Sequence, residues 1–198
     1  GLTVIELLRF DIVTAHLGTA LLLDTDTLEH TAVPLPDSHA FCVVHSGVTR
    51  RLDDGRYGAR KRECDQARTE FGAGPLCQID PRDVASARGV SEISRRRARH
   101  CATEHRRVLA AADALGKGDV CLLGNLMNSS HASMAQDFEV SLPAIDALVE
   151  DACALGAVGA RLTGGGFGGC IVACVGEHER SRWIDALLAR HPQAFVVH

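Results

Sequence analysis

The chain has 198 residues, 46% hydrophobic and 23% charged, with 21 Lys and Arg against 25 Asp and Glu and a formal net charge of −4. That length suits one domain, or one and part of another, with enough apolar residues for an ordinary core. The slight acidic excess excludes the basic footprint of a nucleic-acid binder, and apolar runs such as Ala20 to Leu23 and Ile171 to Val175 are far too short to span a bilayer.

In chain order, Val4, Ile5, Leu7, Leu8 and Phe10 can form one helix face. Ala20 to Leu23 reads as a short buried strand ended by Asp24-Thr25-Asp26. Leu28 to Leu35 reads as a second strand at a hairpin, stopped by Pro34 and Pro36, and Ala40 to His45 as a third, strongly β-prone strand broken by Ser46-Gly47. Tyr57 to Phe71 then fits an amphipathic helix whose narrow apolar stripe is Tyr57, Cys64 and Ala67, closed by Gly72 and Gly74. Asp80-Pro81 opens a short helical turn, with Asp as cap and Pro in the first turn.

Residues 91–115 give the longest predicted helix, with Ile93, Ala98, Cys101, Val108 and Leu115 at helical spacing and Gly116 and Gly118 at its end. The basic run Arg95-Arg96-Arg97 with Arg99 reads as its solvated face. Residues 119–134 make another helix, burying Leu122, Leu123, Leu126 and Met127. After a loop from Asp137 to Leu142, Ser141 caps a helix with Pro143 in its first turn and Ile145, Leu148, Val149 and Ala152 inward, ended by Gly156. Val158 to Leu162 is strand-like, and Cys170 to Val175 is a second strand beyond a glycine run. Glu177 to Arg190 closes as a helix with Trp183, Ile184, Leu187 and Leu188 inward, before a last strand at Ala194 to Val197. Strands early and late with helices between, and no βαβ repeat, point to an α+β layer: helices against an antiparallel sheet.

The first residues, with Glu6, Arg9 and Asp11, lack the basic start and apolar block of a signal peptide, and the opening Gly suggests a fragment or a processed product. The eight cysteines, at 42, 64, 77, 101, 121, 153, 170 and 174, include no Cys-x-x-Cys pair, and most lie among apolar neighbours. They read as free, buried thiols of a cytoplasmic protein. No His-Glu-x-x-His and no tight His/Cys cluster is present, so no protein-built zinc site is expected.

The chemistry gathers at Thr163-Gly164-Gly165-Gly166-Phe167-Gly168-Gly169. Five glycines in six positions exceed what a tight turn between strands requires, and each carries an entropic cost on folding. They suit a backbone that must take positive φ or be closely approached, and successive N–H groups in such a loop cradle anions, phosphate above all. No Gly-Lys-Ser or Gly-Lys-Thr follows, and the loop opens into a strand, so it is neither a Walker loop nor a dinucleotide fingerprint.

The stretch from Gly159 to Cys170, Gly-Ala-Arg-Leu-Thr-Gly-Gly-Gly-Phe-Gly-Gly-Cys, resembles the third signature of the GHMP kinases, and in particular that of their galactokinase branch. Four further stretches resemble the same branch: Asp137-Phe138-Glu139-Val140-Ser141 with Pro143, the preceding Leu126 to Ser133, Arg97-Ala98-Arg99-His100, and Tyr57 to Cys64 with Arg60, Arg62 and Glu63. Order and rough spacing match from about residue 19 to residue 175.

The resemblance implies a two-layer α+β domain with a four-stranded antiparallel sheet over residues 19–198, residues 1–18 being a remnant of an N-terminal domain or unrelated lead-in. It implies transfer of the ATP γ-phosphoryl group to the anomeric hydroxyl of galactose with Mg²⁺, by positioning and charge neutralisation. Gly164, Gly165, Gly166, Phe167 and Gly168 would approach phosphates and sugar. Tyr57 matches the tyrosine that contacts the sugar hydroxyls; the other reading is a half-buried aromatic at a helix start. The serine-rich ATP loop, a sugar-binding segment and the magnesium carboxylate belong to an N-terminal domain, and this sequence holds no Gly-Leu-Ser-Ser-Ser stretch. Asp11 falls near the place of the catalytic aspartate, but its flanks do not match, which leaves a surface carboxylate as the alternative. The chain alone is therefore expected to be inactive, with the N-terminal domain as its partner. A sugar and ATP sensor acting through a partner protein, or a non-catalytic interaction domain, are the other classes.

Overall fold

A computed structural model of the chain describes residues 3–6, 18–49 and 55–197. Strand β1 is Thr3–Glu6, β2 Thr19–Asp24 and β3 His30–Pro34, and they form an antiparallel three-stranded sheet with β2 in the centre. Ile5 lies opposite Leu22, and Leu21 opposite Ala32. The expected helix face at Val4 and Ile5 is thus corrected to a strand: Thr-Val-Ile is a β-prone run, and its backbone groups pair with β2. Leu7, Leu8, Phe10 and Asp11 lie outside the described residues.

The second sheet has four antiparallel strands: β4 (His39–His45), β5 (Gly159–Thr163), β6 (Cys170–Gly176) and β7 (Phe195–Val196), in the order β5-β6-β4-β7. This is the expected four-stranded α+β layer, with the predicted early hairpin set apart in a sheet of its own. Alternation along the strands sorts the side chains. Cys42, Val44, Leu162, Ile171 and Ala173 point into one core with helix α5 (Pro143–Ala154) and helix α6 (Arg180–Arg190). Val172 and Cys174, with Phe41 and Val43 packed beside them, face a second core shared with Ala20 and Val33 of the hairpin.

The described residues hold four more α-helices: α1 (Arg56–Phe71), α2 (Pro81–Ser86), α3 (Glu92–Lys117) and α4 (Val120–Gln136). Their ends follow local chemistry. Asp80 and Ser91 accept backbone N–H groups at the starts of α2 and α3, and Gly72 and Gly118 close α1 and α3 in the left-handed conformation. Ser141 does not cap α5: Leu142 occupies that position, and the Ser141 hydroxyl donates to the Asp146 carboxylate instead. Ile93, Leu122 and Tyr57, expected inward, are exposed; the buried faces of their helices use Ala98, Cys101, Leu123, Met127 and Ala67. Of the eight cysteines, Cys42, Cys77, Cys101 and Cys174 are buried, three are half-buried, and Cys121 on α4 is exposed, contrary to the expectation of burial.

Helix α4 covers β5, an edge strand. A Cβ on Gly124 would lie 2.2 Å from the Val158 carbonyl oxygen, and one on Gly159 would lie 2.4 Å from the Gly124 oxygen, so only paired glycines permit this approach. Asn128, one turn along, accepts the Ala160 N–H at 3.0 Å, and His131 accepts the Leu162 N–H through Nδ1 at 3.3 Å. Helix positions three apart thereby serve strand positions two apart, and the sheet edge is closed.

Candidate functional site

The glycine loop joins β5 to β6 at one end of the four-stranded sheet. Gly164, Gly166, Gly168 and Gly169 all have positive φ, and so does Phe167 at 60°. Two neighbouring segments hold the loop. The Phe167 N–H donates to the Val140 carbonyl at 2.7 Å. The Gly169 N–H donates to the Val48 carbonyl at 3.0 Å, and its own carbonyl accepts the Ser46 N–H at 2.9 Å. A Cβ on Gly166 would stand 2.6 Å from both the Cβ and the carbonyl oxygen of Val140. Part of the glycine content therefore serves packing, since Gly166 makes room for the loop between α4 and α5. Gly164 is exposed and Gly165 half-buried, so these two form the open rim, whereas Gly166, Phe167 and Gly168 are buried.

The start of α1 stands beside this rim. The Arg56 guanidinium lies over the Phe167 ring, 4.9 Å from its centroid, a cation–π distance. Tyr57, the next residue, is 69% exposed, which removes the half-buried reading of its ring. Structure thus brings Tyr57 and the glycine loop to one place. Arg56 and Val48 share that place and carried no sequence signal; Ser46 and Val140, known from sequence only as a strand break and as part of a resembling stretch, share it too. Asp11 lies outside the described residues.

Beneath the site runs an ion network that corrects the reading of Arg95 to Arg99 as a solvated face. Arg97 is 1% exposed. Its guanidinium meets Glu63 of α1 at 2.6 Å, Glu139 at 2.6 Å, and the Asp137 carbonyl. Arg96 reaches the other oxygen of Glu139 at 3.0 Å, Arg60 reaches Glu63 at 2.7 Å, and Arg99 reaches Asp137 at 2.9 Å. Arg95 donates to the Val84 and Ala87 carbonyls. The charges face carboxylates and carbonyls of neighbouring segments, a pairing that four arginines in five positions do not reveal without their distant partners.

A second buried cluster lies between α3, α4 and β5. Burial pushes the Glu104 carboxyl upward, but Arg161, the Ser130 hydroxyl and Arg107 outweigh it and leave the group below its ordinary value. His100, in contact with the Ser133 hydroxyl and stacked on Phe138 at 4.4 Å, is pushed down to about 4 by burial. His131 is lowered by burial too, against the pull of Asp146 at 3.2 Å. These groups join elements of the fold and lie behind the loop. Among the described residues no group of three or more His, Cys, Asp and Glu side chains is placed to hold a metal ion. Magnesium therefore has no fitting ligand set of this kind among the described residues. No helix among the described residues is long and apolar enough to cross a membrane.

Residues 111–193 match the family model described as GHMP kinases C terminal. A crystal structure of Lactococcus lactis galactokinase complexed with galactose is similar to this chain at 28% identity and a TM-score of 0.83, over 90% of this chain and 50% of that one. Mevalonate kinase from L. major, in complex with R-mevalonate, matches at 21% identity and a TM-score of 0.57, over 90% of this chain and 47% of that one. Homoserine kinase from Cytophaga hutchinsonii matches at 14% identity and a TM-score of 0.51, over 91% of this chain and 48% of that one. The two more distant likenesses show the fold alone. The described residues carry the GHMP kinase C-terminal fold, and the chain spans about half the length of each of these structures.

Proposed function

We propose that this chain is the C-terminal half of an ATP-dependent small-molecule kinase whose substrate is galactose. The observation that carries the choice of sugar is the step in similarity, from a TM-score of 0.83 with a galactokinase to 0.57 with a mevalonate kinase over the same share of the chain. The exposed phenol of Tyr57, next in sequence to the Arg56 that lies over Phe167, supports it, since a hydroxyl-rich ligand needs polar partners at the mouth of the site.

In this reading, Gly164 and Gly165 bring backbone N–H groups toward the phosphates, and Tyr57 holds sugar hydroxyls. Catalysis in this class is positioning and charge neutralisation, and this half supplies one wall. ATP-binding residues, the magnesium carboxylate and the base belong to an N-terminal half, with Asp11 the one candidate base in this sequence. The setting proposed is cytoplasmic, with galactose and ATP as small-molecule partners.

Phosphoryl transfer to galactose, mevalonate and homoserine, measured by ADP release, tests the reading with this chain alone and with this chain preceded by its N-terminal half. Turnover with galactose only in the longer protein is expected. Preference for either other substrate overturns the assignment, and turnover by the chain alone overturns the division of labour.

A further inference from the structure

We infer that Arg97 is a positioning residue that fixes the glycine loop and the Tyr57 helix relative to each other. The guanidinium is buried at 1% exposure and reaches three partners on two segments, α1 and the loop between α4 and α5. Its Nε meets Glu63 on α1 at 2.6 Å, its Nη2 meets Glu139 at 2.6 Å, and its Nη1 donates to the Asp137 carbonyl. A planar fork of donors suits this arrangement, and an ammonium does not reproduce it.

Each contact leads to the site. Glu63 sits on the helix whose first two residues are Arg56, over Phe167, and Tyr57. Glu139 holds a positive φ of 53°, which a residue other than glycine keeps only when its surroundings impose it. Both Glu139 oxygens are engaged, one by Arg97 and the other by Arg96 at 3.0 Å. The next residue, Val140, is buried; its N–H donates to the Met134 carbonyl at 3.0 Å and its carbonyl accepts the Phe167 N–H at 2.7 Å. Gly166 leaves no slack, because even a methyl there would overlap Val140. A shift of Glu139 therefore passes through Val140 to Gly166 and Phe167, while the same guanidinium anchors α1 on the other side.

The relevance to phosphoryl transfer rests on the proposed function; the mechanical coupling does not. Residue-resolved amide hydrogen exchange on the 198-residue chain tests the coupling without any activity. In Arg97→Lys, exchange of the Phe167 N–H should accelerate by roughly tenfold or more relative to the interior amides of α5 and β6. Glu139→Gln, which keeps an acceptor and loses the charge, should give a smaller change of the same pattern. The double variant should exceed Arg97→Lys by little, since the two groups act as one unit. Equal acceleration across α5, β6 and the loop would reduce Arg97 to general stability, and an unchanged Phe167 N–H would overturn the inference. If Arg97→Lys does not fold, the Glu139→Gln pattern decides by the same two criteria. Absence of galactose phosphorylation by the longer wild-type protein would sink the kinase reading and leave the exchange result standing.

Discussion

The Phe167 N–H and the Val140 carbonyl, 2.7 Å apart, join two loops that lie 27 positions apart in sequence (167 − 140 = 27). Through this bond the segment between α4 and α5 becomes the support of the glycine loop. The open rim at Gly164 and Gly165 is then a projection from a braced base, an arrangement suited to a site that works by pre-organised backbone donors.

Gly166 is the tightest point of that base. In Gly166→Ala, the new Cβ meets Val140 at 2.6 Å and the residue must hold a φ of 77°. Overpacking against backbone and left-handed strain together should destabilise the chain by about 2–4 kcal/mol. Chemical denaturation checks this. Gly164→Ala should also be strained, at a φ of 82°, but its exposed position limits the loss to about 1–2 kcal/mol. An equal loss at the two positions would refute the bracing by Val140.

Asn128 closes the edge of the four-stranded sheet by accepting the Ala160 N–H. In Asn128→Ala, that amide lies beneath α4 with no replacement, which should lower stability by about 1–3 kcal/mol. Amide exchange at Ala160 should rise with it, while exchange in the three-stranded sheet should stay at its wild-type rate. A variant as stable as the parent would show that water replaces the asparagine.

Much of this was legible in the sequence, and what escaped did so for a physical reason. Most strands and helices followed from short-range signals: apolar periodicity, Asp80 as a cap, Gly72 and Gly118 as stops. The glycine loop was visible because so dense a run needs a cause. Arg97 was misread because its partners, Glu63 and Glu139, are 34 and 42 residues away, and local pattern cannot tell a buried guanidinium from a solvated one. Arg56 escaped because its contact with Phe167 exists only once α1 is laid against the loop. Ser141, a plausible cap by type, instead bonds Asp146, which also faces His131.

Acid should destabilise the chain through His100. Its folded-state value is about 4 against an ordinary 6.5, because burial disfavours the charged ring. As pH falls from 6.5 toward 4 the unfolded chain takes up a proton that the folded chain refuses, so this group's contribution falls across that window and levels off below it. The effect of this group is on the order of 3 kcal/mol at most. His131 is shifted the same way and adds to the slope. Denaturation midpoints of the parent and of His100→Asn, measured across that window, check the assignment. The variant should be less stable near neutrality and show a shallower fall, and an unchanged slope would refute the role of His100.

Tyr57 separates ligand binding from folding. Its ring is 69% exposed at the second position of α1, so removal of the hydroxyl leaves the core untouched. Tyr57→Phe should therefore hold its denaturation midpoint within about 0.5 kcal/mol of the parent. If the phenol holds a sugar hydroxyl, as the proposed function has it, galactose affinity should fall by roughly fivefold to tenfold, the effect of one lost hydrogen bond. Calorimetry on the protein that includes its N-terminal half, with galactose as ligand, is the measurement. Affinity should fall further in Tyr57→Ala, which also removes the ring. Unchanged affinity in both variants would place the sugar elsewhere and leave Tyr57 an exposed residue at a helix start.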